Sequence, residues 1–206
     1  MRLFIGLGNP GQLYKNNRHN LGFMILDKIS EVYSDTEWKD KFKGKVIHCN
    51  IDRKKTILFK PSGYMNNSGF SSHEVIKFYK IKPEDIFIFF DDIELSPGKI
   101  RVKFGGGHAG HNGIRNIISQ VGVDFWRIRL GIGHPGLKKD VGDYVLSNFS
   151  KLDSEWVEEV VNNVAINLNL LINLDINNFM NQISLQMNKK ELPLSPRNII
   201  INKEKN

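Results

Sequence analysis

The run Ile86-Phe87-Ile88-Phe89-Phe90 constrains this chain more than any other feature. No polar residue interrupts it, so the element it forms is buried on every side. Its shortness and its β-branched and aromatic content predict a strand rather than a helix. A strand that is apolar on both faces belongs in the middle of a sheet covered by helices on both sides. The run stops at two carboxylates, Asp91 and Asp92. A second short apolar run, from Leu3 to Leu7, ends at Gly8-Asn9-Pro10-Gly11 and predicts another buried strand leading into a loop.

Around these two runs, helical and strand-like patterns alternate. Leu21, Met24, Ile25, Ile29 and Val32 form one apolar helical face that opens after His19. Val46 to Ile51 and Thr56 to Phe59 flank the charged Asp52-Arg53-Lys54-Lys55, which predicts a hairpin. Ser71-x-x-Glu74 fits a capping box starting a helix that carries Val75, Ile76 and Tyr79. Ile100 to Phe104 alternates with Arg101 and Lys103, as an edge strand does, and Trp126 to Ile132 predicts a further strand. Ile114, Ile117, Ile118 and Val121 make another helical stripe. Val157 to Leu171 and Ile176 to Ile183 make two more, with a break near Leu174-Asp175. Alternation of this kind predicts an α/β fold: a single globular domain with a mixed, mostly parallel twisted sheet and helices on both faces. The predicted domain spans residues 1–188. Residues 189–206, polar with Pro193, Pro196, five Lys/Arg and two Glu, read as a disordered basic tail.

Lys and Arg exceed Asp and Glu to give a net charge of +7. Such an excess suits an acidic partner, nucleic acid or a membrane surface, and suits a merely solvated basic protein as well. The lone Cys49 rules out an internal disulfide and a CxxC metal site. No apolar run approaches the roughly 18 residues that cross a bilayer, and Gly6 interrupts the first one too early for a secretory signal. The expectation is a cytoplasmic protein with no membrane partner.

Gly6-x-Gly8-x-x-Gly11 matches the dinucleotide fingerprint literally, but the physics behind that motif is missing. The fingerprint needs a helix opening at the glycines to face a pyrophosphate. Here Pro10 precedes the last glycine, and the helical pattern begins only near His19. No dinucleotide is expected. Asn9 and Asp91, by contrast, each lie just past the carboxyl end of a predicted buried strand, where open α/β sheets bind ligands. If the two strands are parallel neighbours, these residues share one crevice, and His19 opens the next helix beside it. A carboxylate on one ring nitrogen fixes a histidine's tautomer and leaves the other nitrogen to take a proton. Taken singly, His19 and Asp91 are more simply explained as caps.

Gly105 to Gly113 is a glycine loop opening a helix, with Asn112 at the helix start as either cap or ligand contact. His108 and His111 lie in this loop, but HxxH in a loop is poor ligand geometry, so no metal and no other cofactor is expected. Arg101, Lys103, Arg127, Arg129, Lys138 and Lys139 are the candidate phosphate contacts, with scattered solvated charge as the alternative for each.

Five segments together resemble the bacterial peptidyl-tRNA hydrolase family: Gly6-Leu-Gly-Asn-Pro-Gly11 continuing through Tyr14 to Arg18-His-Asn20; Lys60-Pro-Ser-Gly-Tyr-Met-Asn-Asn-Ser-Gly69; Asp91-Asp-Ile-Glu-Leu-Ser-Pro-Gly98; Gly105 to Gly113; and Arg127-Ile-Arg-Leu-Gly-Ile-Gly-His-Pro135. The likeness runs from about residue 2 to about residue 185. Asn17, Glu94 and Ser96 stand where threonine, aspartate and proline are usual. The resemblance implies a monomeric, metal-independent esterase that cuts the ester between a peptide and the 3′ ribose of its tRNA. It implies that His19 is the base activating water, that Asp91 orients it, and that Asn9 binds the peptide near the ester. It further implies that Asn66 and Asn112 hydrogen-bond the substrate, that Tyr14 and Tyr64 line the cleft, and that Arg101, Lys103 and Arg129 face tRNA phosphates. A non-catalytic RNA-binding protein, or an esterase acting on another RNA-linked ester, remains open.

Overall fold

The computed structural model describes residues 1–137 and 140–188. Lys138, Lys139 and the predicted tail 189–206 lie outside the described residues. Seven strands form one sheet in the order β2-β3-β4-β1-β5-β7-β6. They are β1 (Arg2–Gly6), β2 (Lys39–Lys41), β3 (Gly44–Ile51), β4 (Lys54–Pro61), β5 (Ile86–Asp92), β6 (Ile100–Phe104) and β7 (Trp126–Gly131). The sheet is mixed, as expected. β4, β1, β5 and β7 run parallel through its centre, and antiparallel pairings close both edges.

β5, which contains the run Ile86 to Phe90, lies between β1 and β7 with all seven of its residues buried. Its side chains alternate between two cores. Phe87 and Phe89 join Phe4, Leu58, Ile128 and Leu130 against helices α1 (Leu21–Tyr33), α5 (Ser154–Ile166), α6 (Leu168–Ile172) and α7 (Ile176–Asn188). Ile86, Ile88 and Phe90 join Leu3, Ile5 and Phe59 against α2 (Ser68–Tyr79) and α3 (Asn112–Val121). Burial of several large side chains on each face, at roughly 1.5–3 kcal/mol apiece, is what holds the two layers to the sheet.

Two local predictions are corrected. The capping box at Ser71 and Glu74 does not form: α2 begins at Ser68, continuing directly from a 3-10 turn over Met65–Asn67, so Ser71 is already interior. Its hydroxyl donates instead to the Ser68 carbonyl at 3.3 Å. At the start of α3 the cap is His111, whose Nδ1 accepts the Ile114 N–H at 3.2 Å, and Asn112 is the first helical residue. The predicted hairpin is present, but its turn is Asp52-Arg53 with φ of 48° and 61°. Both residues adopt the left-handed conformation that such turns ordinarily assign to Asn and Gly.

Candidate active site

β1 and β5 are parallel neighbours, with Gly6 opposite Phe89. Asn9 and Asp91 therefore leave the same edge of the sheet. Between them sits the 3-10 turn Arg18–Asn20, which leads into α1. Its seat requires a glycine. A Cβ on Gly22 would lie 2.4 Å from the Phe89 carbonyl oxygen and 2.6 Å from the Leu7 nitrogen, so only a bare backbone lets α1 start this close to the strand ends.

His19 and Asp91 meet in this crevice. The His19 Nδ1–H donates to both carboxylate oxygens of Asp91, at 2.8 and 2.9 Å. Asp91 is 2% exposed and His19 8%. Burial pushes the Asp91 pKa up, but the charge and hydrogen bonds of His19 and His111 overcome it and hold the carboxyl well below the usual carboxylate range. Burial likewise presses His19 down. The Asp91 charge and hydrogen bond together outweigh it, and the net direction is up. With Nδ1 engaged, Nε2 is the ring atom that can exchange a proton with a ligand.

A second histidine shares the carboxylate. His111 Nε2 stands 3.1 Å from Asp91 Oδ1, and its ring centroid is 4.9 Å from that of His19. The cap at α3 decides its tautomer: Nδ1 accepts from Ile114 N–H, so the proton is on Nε2 and donates to Asp91. In the sequence His111 reads only as part of the glycine loop. Its position three residues before Ile114, at the helix opening, was the available signal. The three groups bring their ligand atoms within 4.8 Å of one another, a spacing that a metal ion could bridge. Yet the His111 nitrogen that such an ion needs carries the proton, and moving it to Nδ1 would set it against the Ile114 N–H.

Asn9 is fixed from three directions. Its backbone N–H donates to Asn20 Oδ1 at 2.8 Å, and its carbonyl accepts from Asn20 Nδ2 at 2.9 Å. Its own Oδ1 accepts the Met65 N–H at 2.7 Å. The acceptor end of the Asn9 amide is therefore used, and the Nδ2 group is what it can offer a ligand. Nothing in the sequence pattern marks Asn20 for this clamp beyond its place directly after His19.

His19, Asp91, His111, Asn112, Arg115 and His134 line a cavity of about 660 Å³, bounded on its far side by Val141, Gly142 and Val145 around the short helix α4 (Val141–Leu146). Asn9 and Asn20 line a neighbouring cavity of about 540 Å³. Tyr14 and Tyr64 meet edge to face, with centroids 6.2 Å apart. Tyr64 and Asn66 are exposed on the segment that carries Met65. The structure thus brings His19, Asp91 and Asn112 into one cavity. It joins Asn9 to them through Asn20, and it leaves Tyr14, Tyr64 and Asn66 on the loops beside it.

The basic residues divide. Arg101 lies opposite Arg129, and Lys103 opposite Arg127, across the β6–β7 pair. Arg127 is corrected as a phosphate contact. It is 3% exposed, donates to the carbonyls of Val123 (3.0 Å), Phe125 and Gly106 (2.5 Å), and stacks on the Phe125 ring. It ties down the base of the glycine loop. Arg129 pairs with Asp92 and is half-buried, while Arg101 and Lys103 are exposed.

A single mixed α/β sheet carrying a buried histidine–carboxylate pair at the carboxyl ends of its central strands places the chain among α/β proteins with an acid–base site. The comparisons with known proteins narrow this class. The family model described as peptidyl-tRNA hydrolase matches residues 3–192. The peptidyl-tRNA hydrolase of Nitrobacter winogradskyi is 46% identical over 190 residues, covering 92% of this chain and 94% of that protein. That of Ruegeria pomeroyi is 47% identical over 186 residues, covering 90% and 78%. The crystal structure of peptidyl-tRNA hydrolase from Acinetobacter baumannii superposes with a TM-score of 0.84 at 38% identity, covering 89% of this chain and 94% of that one. The chain belongs to the peptidyl-tRNA hydrolase family.

Proposed function

We propose that the chain hydrolyses the ester between a peptide, or an N-blocked aminoacyl group, and the 3′ ribose of tRNA, releasing tRNA for reuse in translation. The observation that carries this reading is the His19–Asp91 pair, held in one tautomer with Nε2 left for a proton. In the reaction His19 Nε2 takes a proton from water. The resulting hydroxide attacks the ester carbonyl, and the proton returns to the departing 3′ oxygen of the ribose. The Asp91 carboxylate stabilises the imidazolium formed between these two steps. The Asn9 Nδ2 group donates to a peptide carbonyl next to the ester, an arrangement that favours acylated over free amino groups. Asn112, Asn66, Tyr14 and Tyr64 supply the remaining contacts to the peptide and the terminal nucleotide. All of these groups come from one chain, so the reading needs no second subunit, and no helix among the described residues is long and apolar enough to cross a membrane. Peptidyl-tRNA arises in translation, which puts the reaction in the cytoplasm.

The tRNA phosphates are assigned to the sheet face of β6 and β7. α2 and α3 cover the other end of that face, and Arg101, Lys103 and Arg129 stand on the part they leave. Arg129 is already paired with Asp92, so Arg101 and Lys103, exposed on β6, are the cations that this face offers most freely to an anionic partner. Replacing Lys103 by Ala is expected to raise KM with little change in kcat. It should also lower the slope of log affinity against log salt by about one phosphate contact. A fall in kcat alone would remove Lys103 from the RNA surface.

The deciding experiment is release of N-acetyl-aminoacyl product from N-acetyl-aminoacyl-tRNA with a chelator present. Multiple turnovers are expected, with little cleavage of free aminoacyl-tRNA. Binding of tRNA with steep salt dependence and no product would favour a non-catalytic RNA-binding protein instead.

A further inference from the structure

Arg18 directly precedes His19 and carries more contacts than its place on the surface of a turn requires. One terminal nitrogen, Nη1, donates to Ser147 Oγ at 2.8 Å and to the Asn148 carbonyl at 2.6 Å, and Nη2 donates to Asp153 Oδ2 at 2.7 Å. The guanidinium lies over the Tyr144 ring at 4.6 Å and over the Phe149 ring at 5.2 Å. Asp153 is itself set in place. It accepts from the Ser150 N–H and hydroxyl, both at 2.9 Å, and from Trp156 Nε1 at 3.1 Å, at the start of α5. Tyr144 donates its hydroxyl to the Ile132 carbonyl, just beyond β7. The backbone adds to this: Arg18 N–H donates to the Ser147 carbonyl, Phe149 N–H to the Asn16 carbonyl, and the Asn17 side chain to the Leu146 carbonyl.

The segment that Arg18 grips, residues 144–153, begins within α4, whose Val141, Gly142 and Val145 line the His19 cavity. The same stretch of chain is therefore both a wall of the cleft and an anchor for the turn that holds the histidine. We propose that Arg18 is a positioning residue. Its guanidinium locks the His19 turn to the segment joining α4 and α5, so that the aim of His19 depends on how that wall of the cleft is seated. This rests on the reading of His19 as the base. A planar fork with several donors suits the task. It spans a hydroxyl, a carbonyl and a carboxylate at once while stacking on two rings, which a lysine cannot do. Burial and the charge and hydrogen bond of Asp91 on β5 set the titration of His19; the ring of His111 at the start of α3 lies beside it, and Asp92, Glu94, His108, Arg115 and His134 line the same cavity. Arg18 therefore acts through the distance between His19 and Asp91.

The test has two readings on the full chain. In steady-state kinetics with N-acetyl-aminoacyl-tRNA, Arg18→Ala is expected to lower kcat roughly ten- to hundredfold, the cost of a small misplacement of a catalytic group, with KM close to wild type. Arg18→Lys should fall between the two. By NMR titration of the histidine ring, which needs no substrate, His19 should titrate in Arg18→Ala closer to the ordinary histidine value than in wild type, because its bond to Asp91 loosens. Should Arg18→Ala not fold, Asp153→Asn and Ser147→Ala each remove one arm of the fork and carry the same expectation at smaller size. A lowered melting temperature with unchanged kcat and unchanged His19 titration overturns the proposal and leaves Arg18 a fold-stabilising residue. If wild type itself releases no product, the esterase reading fails, and the NMR comparison still decides whether Arg18 positions His19.

Discussion

Replacing His19 by Ala is expected to lower turnover of N-acetyl-aminoacyl-tRNA by about 10²–10⁴, the range that general-base assistance ordinarily supplies. Binding of tRNA should change little, because Arg101 and Lys103 lie on β6, away from the His19 turn. The variant should also fold. Losing a partner from a buried carboxylate is usually costly, since it leaves a desolvated charge unsatisfied. Here the His111 N–H still donates to Asp91 at 3.1 Å when His19 is gone. The pH dependence follows from the His19 pKa, which is raised above its ordinary value of about 6.5 by Asp91 despite burial. The base works when neutral, so wild-type kcat should rise with pH through an inflection above that value. The stability that His19 contributes has the opposite pH dependence. It is full below the unfolded-state pKa and is lost as pH rises through the folded one. His19→Ala should therefore cost more stability at pH 5 than at pH 9. Turnover above a tenth of wild type at pH 8 would remove His19 from the role of base.

The parts of the fold that were legible in the sequence are those where burial alone sets the pattern. An apolar run from Ile86 to Phe90 permits little besides a covered central strand, and the α/β layering follows from it. β2 was not foreseen, because Lys39-Asp40-Lys41 is charged throughout and pairs as an exposed edge strand through its backbone, which leaves no mark in side-chain pattern. The Asp52-Arg53 turn lacked its usual glycine for the same kind of reason: the register of β3 and β4 imposes the left-handed conformation on residues that do not prefer it. At the site, Asn9 and Asp91 were legible as polar residues at strand ends, and their adjacency required only that β1 and β5 be parallel neighbours. Asn20, His111 and Arg18 were not. Each works by a hydrogen bond to a residue distant in the chain, and such pairings become visible only when the loops are folded together.

Asp91→Asn is expected to be as damaging as loss of His19, with turnover lowered by up to about 10⁴, as when a base histidine is left in the wrong tautomer. A carboxylate can accept from both histidines; an amide offers one oxygen and one NH₂ group. His111 cannot adapt, because the Ile114 N–H holds its proton on Nε2. The amide oxygen must therefore stay at the position of Oδ1, which serves His111. The NH₂ group then occupies the position of Oδ2, 2.9 Å from His19 Nδ1, and the oxygen at the Oδ1 position, 2.8 Å from the same nitrogen, is left to serve both histidines. The NH₂ group opposes the His19 Nδ1–H, which now shares a single acceptor with His111, and this favours the tautomer with the proton on Nε2, where the ring can no longer take a proton from water. The remaining activity should lose the raised inflection in its pH profile, since the carboxylate charge that produced it is gone. The same argument makes a sharper demand on the double variant Asp91→Asn/His111→Ala. Without His111 the amide is free to turn its oxygen fully to His19 Nδ1–H, so the double variant should be about tenfold more active than Asp91→Asn alone. Because the two positions touch, strong departure from additivity is the expected sign of a shared network. Kinetics of the four proteins in one cycle would decide it. A double variant no better than Asp91→Asn would mean that His111 does not constrain the carboxylate, and that the tautomer of His19 is set by Asp91 alone.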